Sequence, residues 1–320
     1  MSQNLLEIAE LGVRFAAMAR PAVAGVSLVL AAGEKLALVG ESGSGKSVTA
    51  RAILRLDGSA SYSGAIRFAG DDLLTAPEPR LRALRGGRIA MIFQEPMTAL
   101  NPLYTIGDQI DEVLRLHCGL DRRVARRETI SLLEQVGIDD PACRAQSFVH
   151  QLSGGQRQRA MIAMALAGEP ELLIADEPTT ALDATVQAEV LELLASLVEQ
   201  LGTTLIFISH DLPVIAKVAD DLIVMRHGEV VEQTTVALGL SAPEQDYTKH
   251  LIQSAVEVNY IPGRSARRGL GDEDGSAGAG DPAGAGAGVT SDRTGGSARG
   301  RGVDVVVDEK TVGSEGASDE

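Results

Sequence analysis

The chain has 320 residues, of which 44% are hydrophobic and 23% charged, a formal net charge of −15, and only two cysteines, Cys118 and Cys143. That length is ample for a packed core in one large or two small domains, while two cysteines without metal-ligand spacing exclude a disulfide framework. The acidic balance argues against nonspecific nucleic-acid binding, and since no secretory signal or long apolar run is found, we expect a soluble, cytosolic protein.

Hydrophobic periodicity predicts alternating strands and helices along most of the chain. Strands are expected over residues 5–9, 26–30, 34–40, 64–70, 88–93, 172–175, 204–208 and 222–225. Helices are expected over residues 47–56, 109–116, 122–136, 156–167 and 185–200. This alternation indicates an α/β core with a mostly parallel sheet. The helical run between about residues 95 and 168 predicts an insertion in that core.

A glycine-rich loop follows the third predicted strand and precedes the first predicted helix. Its sequence, Gly-Glu-Ser-Gly-Ser-Gly-Lys-Ser over residues 40–47, matches the phosphate-loop motif G-x-x-x-x-G-K-[ST] in full. In such a loop the backbone N–H groups and the positive start of the helix point at nucleotide phosphates. Lys46 is expected to neutralise phosphate charge and Ser47 to bind Mg²⁺. The predicted nucleotide-binding residues of this segment are Gly40, Glu41, Ser42, Gly43, Ser44, Gly45, Lys46, Ser47 and Val48.

Two adjacent carboxylates end the apolar stretch Leu-Leu-Ile-Ala-Asp-Glu over residues 172–177. Like charges side by side resist ionising at the end of a buried strand, so a functional use of the pair is favoured over an ordinary turn. Asp176 is expected to hold Mg²⁺, directly or through water, and Glu177 to polarise the water that attacks the phosphate. The pair therefore predicts hydrolysis of the bound nucleotide.

The pentapeptide Leu-Ser-Gly-Gly-Gln at residues 152–156 resembles the signature of ABC-type ATPases. With the phosphate loop and the paired carboxylates, it makes the chain similar to an ABC transporter ATP-binding subunit over about residues 4–260. The resemblance implies a P-loop NTPase (RecA-like) α/β core with an N-terminal antiparallel β subdomain and an inserted helical subdomain. It also implies that ATP and Mg²⁺ are held between two such subunits.

Single residues extend the resemblance. Gln94 resembles the Q-loop glutamine that senses Mg²⁺ and the γ-phosphate, so the implied metal contacts are Ser47, Gln94 and Asp176. His210, after a predicted strand, matches the switch histidine that contacts the γ-phosphate and orients the catalytic water. The implied catalytic set is therefore Glu177, His210 and Gln94.

Other positions are implied to act at the nucleotide base or on the partner subunit. Phe15 lies where these ATPases place an aromatic ring against adenine, although an ordinary core position is the competing interpretation. Asp183 lies in a segment, Ala-Leu-Asp over residues 181–183, that resembles the D-loop crossing to the opposite subunit. The signature residues implied to act on the partner's ATP are Ser153, Gly154, Gly155 and Gln156.

The segments 94–102, 176–183 and 247–251 resemble the peptide, opine and nickel importer branch. The implied function is to hydrolyse ATP and energise uptake of di- or oligopeptides or a related small solute. A nickel or metal-chelate importer, an exporter ATPase and a non-transport ABC ATPase are the alternatives. The implied partners are two membrane permease subunits, a second ATPase subunit and, indirectly, an extracytoplasmic solute-binding protein, with no nucleic acid. The implied location is the cytoplasmic face of the cell membrane.

The last part of the chain differs from the rest in composition. Residues 261–320 are rich in Gly, Ala, Ser and Asp, a composition that cannot bury enough apolar surface to offset the entropy of ordering. We therefore expect an ATPase domain over residues 1–260 and a disordered acidic tail over 261–320. Many peptide importer ATPases carry a cysteine-rich extension at this point, whereas no cysteine follows Cys143 here.

Overall fold

The computed structural model describes residues 4–179 and 182–259, with side chains described as far as residue 254. Positions 180 and 181 and the predicted acidic tail lie outside the described residues. The strands are β1 (Asn4–Phe15), β2 (Val23–Ala31), β3 (Lys35–Val39), β4 (Ala60–Phe68), β5 (Asp71–Asp72), β6 (Ile89–Ile92), β7 (Leu172–Asp176), β8 (Thr204–Ile208), β9 (Asp221–Arg226) and β10 (Glu229–Thr235).

The helices alternate with these strands or lie between β6 and β7. They are α1 (Lys46–Ile53), α2 (Glu78–Leu84), α3 (Pro96–Ala99), α4 (Ile106–His117), α5 (Arg122–Gln135), α6 (Pro141–Arg144), α7 (Gly154–Leu166), α8 (Ala184–Leu201), α9 (Leu212–Val218), α10 (Val236–Ser241) and α11 (Asp246–Asn259). None of the helices in the described part of the chain is long and apolar enough to cross a bilayer.

An antiparallel sheet holds the strands β2, β1, β4 and β5 in that spatial order. Its strands alternate between buried and exposed positions: in β2, Val26, Leu28 and Leu30 are buried while Ser27 and Val29 face outward. Such alternation is expected when one face packs on a core and the other is solvated. The implied N-terminal antiparallel subdomain is confirmed.

The second sheet has the order β10, β9, β3, β8, β7, β6 and is parallel except for β10, which pairs antiparallel with β9. Its parallel strands are buried on both faces, which explains their continuous apolar sequences. In β3, Leu36 and Leu38 pack into the core shared with the antiparallel sheet, whereas Ala37 and Val39 pack into the core shared with the inserted helices. One sheet thus separates two hydrophobic cores.

The insertion between β6 and β7 is helical, as predicted. Side chains cap the N-termini of its helices α4 and α5 and so fix where these helices begin. The hydroxyl of Thr105 accepts a hydrogen bond from the N–H of Asp108 at 3.1 Å at the start of α4, and the carboxylate of Asp121 caps α5. Buried residues of α4, α5 and α7, such as Ile110, Leu133 and Ile162, form one core with the parallel sheet.

The predicted fold class is therefore confirmed, and every strand and helix predicted from the sequence is present. The prediction missed several short or exposed elements: β5, β10, α2, α3, α6, α9, α10 and α11.

Candidate functional site

Four neighbouring strands of the parallel sheet carry the predicted site residues at their carboxyl ends. The glycine-rich loop follows β3, His210 follows β8, Asp176 and Glu177 end β7, and Gln94 follows β6. Because β3, β8, β7 and β6 are adjacent in the sheet, segments far apart in sequence meet at one edge. This is where ligands bind in open α/β sheets.

The backbone of the loop between β3 and α1 requires glycine at two positions. Gly40 has φ 147°, and a Cβ there would lie 2.2 Å from the carbonyl oxygen of Met225. Gly45, which precedes α1, has φ 105°, and a Cβ there would lie 2.8 Å from the carbonyl oxygen of Ala22. Side chains at either position would therefore displace the loop from the strand β9 and the turn before β2.

Lys46 lies folded over the loop. Its Nζ donates hydrogen bonds to the carbonyl oxygens of Gly40 at 2.7 Å and Glu41 at 2.9 Å, and to Oγ of Ser44 at 3.3 Å. The side chain is buried, and this burial lowers the pKa of Lys46, although the nearby carboxylates of Glu177 and Asp176 oppose the shift. The ammonium group is thus fixed where phosphate oxygens would approach the loop.

Ser47 and Asp176 join the loop to the end of β7. Oγ of Ser47 donates a hydrogen bond to Oδ1 of Asp176 at 2.7 Å. Asp176 is only 5% exposed. Burial raises its pKa, while the hydrogen bond from Ser47 counteracts that shift. A hydroxyl and a carboxylate oxygen in contact supply the hard oxygen ligands that Mg²⁺ prefers.

The side chain of Glu177 contacts polar side chains from two neighbouring segments at this edge of the sheet. One carboxylate oxygen accepts a hydrogen bond from Nε2 of Gln94 at 3.1 Å, and the other lies 3.5 Å from Nδ1 of His210. Its backbone has φ 45°, which is uncommon for a residue with a side chain. Its N–H donates to the carbonyl oxygen of Ile208 at 3.0 Å. Backbone strain of this kind is tolerated where the surroundings hold it, often at functional sites.

A cavity of about 530 Å³ connects these groups. It is lined by Gly40, Ser42, Gly43, Ser44, Gly45, Lys46, Ser47, Val48, Gln94, Glu177 and His210. Asp176 lies next to this lining through its bond to Ser47. The structure thus brings together the predicted phosphate loop, metal contacts and catalytic set.

Two predicted nucleotide-binding residues do not line the cavity. The carbonyl oxygen of Glu41 holds Lys46, but Glu41 itself is exposed on the other side of the loop. Phe15, at the end of β1, is half-buried and packs against the core beneath the antiparallel sheet. It can therefore serve as a core residue with one accessible face.

The signature pentapeptide also lies outside the cavity lining. Ser153 caps α7: its Oγ accepts a hydrogen bond from the N–H of Gln156 at 3.3 Å, and the Gln156 side chain accepts one from the N–H of Ser153 at 3.1 Å. This reciprocal pair is a capping box. It leaves Ser153 and Gly154 exposed at the start of a helix, where backbone N–H groups favour anions.

The start of α8 packs against the signature. Asp183 caps α8 by accepting a hydrogen bond from the N–H of Val186 at 3.1 Å. A Cβ on Gly155 would lie 2.8 Å from Cγ1 of Val186, and one on Gly154 would lie 3.5 Å from Cδ2 of Leu182. Leu182 of the predicted D-loop and Val186 of α8 therefore lie next to the signature glycines, and none of these residues lines the cavity.

The outer side of the phosphate loop contacts residues that the sequence analysis did not place in the site. The carbonyl oxygen of Ser44 accepts a hydrogen bond from the N–H of Gly228, in the turn between β9 and β10, at 2.9 Å. The hydroxyl of Tyr247, on α11, accepts one from the N–H of Glu41 at 3.3 Å. Tyr247 belongs to a segment that the sequence analysis noted only as a family resemblance.

The chemistry of the donors fits ATP with Mg²⁺. The loop offers Lys46 and the N–H groups at the start of α1 to phosphate oxygens, while Asp176, Glu177 and Glu41 add negative charge near Lys46. A polyphosphate bound beside these carboxylates needs a divalent cation to offset the repulsion. In the described part of the chain, no group of three or more His, Cys, Asp or Glu could hold a metal ion.

Comparison with known proteins identifies the family. A family model described as "ABC transporter" matches residues 23–180. The oligopeptide transport ATP-binding protein OppD of Bacillus subtilis is 48% identical over 273 residues, which cover 81% of this chain and 76% of OppD. The chain belongs to the ABC transporter family of ATP-binding proteins.

Other ABC proteins show the same likeness. The peptidoglycan transport ATP-binding protein YejF of Agrobacterium fabrum is 54% identical over 256 residues, covering 78% of this chain and 47% of YejF. The YejF protein of Escherichia coli is 51% identical over 267 residues, covering 82% of this chain and 50% of that protein. The chain thus spans about half the length of these two ABC relatives.

Among solved structures, the dimeric post-hydrolysis state of the ATP-binding cassette MJ0796, bound to ADP and Pi, matches with a TM-score of 0.65 at 27% identity. The match covers 72% of this chain and 98% of MJ0796. An ABC cassette therefore accounts for the fold described above.

Proposed function

We propose that this chain binds MgATP and hydrolyses it as the ATP-binding subunit of a membrane importer. The observation that carries the proposal is the cavity in which Lys46, Glu177, Gln94 and His210 meet. The bond between Ser47 and Asp176 lies at its border. A phosphate-binding loop alone would support nucleotide binding, whereas a carboxylate with two polar partners also supports attack by water.

Lys46 and the backbone of residues 42–48 hold the phosphates in this proposal, and Ser47, Asp176 and Gln94 are the residues that would hold Mg²⁺. The metal, when bound, neutralises charge on the phosphate oxygens. Val48 lines the cavity beside the loop, and Phe15 is the residue proposed to pack against the adenine base.

Glu177 is the proposed group that orients and polarises the attacking water. Its contacts with Gln94 and His210 hold the carboxylate from two sides. His210 is 65% exposed, so it can turn toward a γ-phosphate while remaining next to Glu177. Gln94 leads directly into the helical insertion, so motion of the insertion would change the contact to Glu177.

Two chains are needed to complete the site. The signature glycines Gly154 and Gly155 lie next to Leu182 and Val186, and neither the signature nor Asp183 lines the cavity. A second ATPase subunit, identical or homologous, would bring its signature to the nucleotide of the first. ATP would then stabilise the closed pair because it contacts both chains only in that state.

Replacing Glu177 with Gln tests the catalytic part of the proposal. Glu177→Gln should retain ATP binding, lower the hydrolysis rate by about 10²–10⁴-fold, and accumulate as a dimer with ATP in size-exclusion chromatography. Glu134→Gln is the matched control, because it makes the same change at an exposed residue of α5. This variant should hydrolyse ATP at the wild-type rate. Near-wild-type hydrolysis by Glu177→Gln would refute the role of Glu177.

We further propose that the solute is a peptide. Two of the relatives are a peptidoglycan transport and an oligopeptide transport ATP-binding protein, and peptide chains are common to both solutes. The proposed partners are two membrane permease subunits, which would place this chain on the cytoplasmic face of the membrane. An extracytoplasmic solute-binding protein would act indirectly, and no nucleic acid is involved.

The importer proposal is tested by purifying the full chain from its native membranes in mild detergent. Two permeases should accompany it, and labelled oligopeptide uptake should be lost with Glu177→Gln in cells. Nickel uptake that depends on the chain, with unchanged peptide uptake, would favour the metal-chelate alternative. Recovery without any membrane companion would favour a non-transport ATPase.

A further inference from the structure

The peptide bond between Gly40 and Glu41 links the phosphate loop to the last described helix. On one side of this peptide, the carbonyl oxygen of Gly40 accepts a hydrogen bond from Nζ of Lys46 at 2.7 Å. On the other side, the N–H of Glu41 donates to the hydroxyl of Tyr247 at 3.3 Å. The C=O and N–H of a trans peptide point in opposite directions and rotate together. Fixing one therefore orients the other.

Tyr247 is itself held in place by two neighbouring elements. The guanidinium of Arg226, at the end of β9, lies 4.7 Å from the centroid of the Tyr247 ring, within range of a cation–π interaction. The buried carboxylate of Glu232, on β10, accepts hydrogen bonds from the N–H groups of Glu244 at 3.0 Å and Gln245 at 3.2 Å. These contacts fix the start of α11 and so the position of the Tyr247 hydroxyl.

Glu41 differs from its neighbours in the loop. Every other residue from Gly40 to Val48 lines the cavity, while Glu41 is exposed and its N–H is turned to Tyr247. The N–H of Glu41 is therefore not available to a nucleotide in this arrangement. The hydrogen bond from this N–H to Tyr247 instead orients the peptide whose carbonyl oxygen, that of Gly40, accepts a hydrogen bond from Lys46.

We propose that Tyr247 is a positioning residue for nucleotide binding, acting through the Gly40–Glu41 peptide on Lys46. The inference rests on the proposed function of the cavity as a nucleotide site and adds an element, α11, to it. Since Lys46 is expected to contact phosphate both before and during hydrolysis, loss of its orientation weakens binding in both states. Loss of this orientation should therefore lower the affinity for ATP and leave kcat nearly unchanged.

Tyr247→Phe tests this directly in the full chain because it keeps the ring and its contact with Arg226 but removes the hydroxyl. We expect the Kd for ATP, measured by titration calorimetry, and the KM to rise about two- to tenfold, as loss of one such hydrogen bond predicts. In the nucleotide-free protein, hydrogen–deuterium exchange of the Glu41 amide should be faster than in wild type.

Tyr62→Phe is the matched control. The Tyr62 hydroxyl donates to the carbonyl oxygen of Asp57 at 3.0 Å, so this variant also loses one hydroxyl–backbone hydrogen bond, but away from the loop. It should leave the Kd for ATP and the exchange of Glu41 at wild-type values. A second variant, Arg226→Gln, frees the Tyr247 ring and should shift both readings in the same direction as Tyr247→Phe, by less.

The outcomes separate this inference from the proposed function. Unchanged Kd and unchanged Glu41 exchange in Tyr247→Phe, with or without a lower Tm, would overturn the positioning role. If the wild-type chain bound no ATP, the proposed function would fail, and the exchange rate of Glu41 would still decide whether Tyr247 holds the peptide.

Discussion

Gly155 in the signature offers a test that separates packing within the chain from contact with a partner. A Cβ at this position would lie 2.8 Å from Cγ1 of Val186, well inside ordinary contact. Gly155→Ala alone should therefore destabilise the fold, because overpacking typically costs about 1–3 kcal/mol. The higher helix propensity of Ala relative to Gly offsets at most about 1 kcal/mol of this destabilisation.

Removing the methyl groups of Val186 should turn the effect of Gly155→Ala on stability from destabilising to stabilising. In a Val186→Ala background the close contact is absent, and Gly155→Ala should then stabilise the chain by about 0.5–1 kcal/mol through helix propensity. The two substitutions should thus show a coupling free energy of about 1–3 kcal/mol. Urea denaturation of wild type, both single variants and the double variant measures it. Gly154→Ala is the control, since its Cβ would meet Leu182 at an ordinary 3.5 Å.

The same four proteins report on the partner contact. If the signature must approach the nucleotide of a second subunit closely, the double variant should remain well below the Val186→Ala variant in ATP hydrolysis even though its fold is restored. A double variant no more stable than Val186→Ala alone would refute the packing argument. Full recovery of hydrolysis in the double variant would show that Gly155 is small only because of Val186.

Three further substitutions test other contacts of the site. Glu232→Gln should lower the free energy of unfolding by about 1.5–3 kcal/mol at pH 7. Burial would raise the pKa of Glu232, but the side chain of Thr248 and hydrogen bonds from the N–H groups of Glu244 and Gln245 hold it below its usual range. This stabilisation is present above the ordinary pKa of about 4.3 and lost as pH falls through the lowered one, so urea denaturation should show the two proteins converging in acid. Ser47→Ala should raise the Mg²⁺ concentration for half-maximal hydrolysis more than about tenfold, and an unchanged Mg²⁺ titration would contradict its metal role. His210→Ala should lower kcat by about 10²-fold or more while Kd for ATP, measured calorimetrically, stays near wild type.

The sequence was sufficient for the part of the site that depends on local pattern. Apolar strands ending in Asp176 and in the loop before Lys46 could be recognised individually. Since the ends of adjacent parallel strands share one edge, their meeting in space followed from the predicted topology. The predicted sheet and helical insertion follow from the same periodicity.

The contacts on the outer side of the loop could not be predicted in this way. The hydrogen bond from Glu41 to Tyr247 joins residues 206 positions apart through a backbone N–H that has no signature in composition. The strand β10 was missed because its sequence, Glu-Val-Val-Glu-Gln-Thr-Thr, is mostly exposed or half-buried and lacks apolar alternation. Without β10, neither Glu232 nor the start of α11 could be located next to the loop.

The central position of β3 has a consequence for how the protein is made. Its two neighbours in the sheet, β8 and β9, lie more than 160 residues later in the chain. At ribosomal rates of about 5–20 residues per second, β3 waits roughly 10–40 s for both partners to emerge. During that interval an apolar strand exposes two unpaired edges, which are templates for aggregation. The nucleotide loop can thus assemble only after β9, which ends at Arg226, has emerged, and a nascent chain stalled before residue 221 should depend on chaperones.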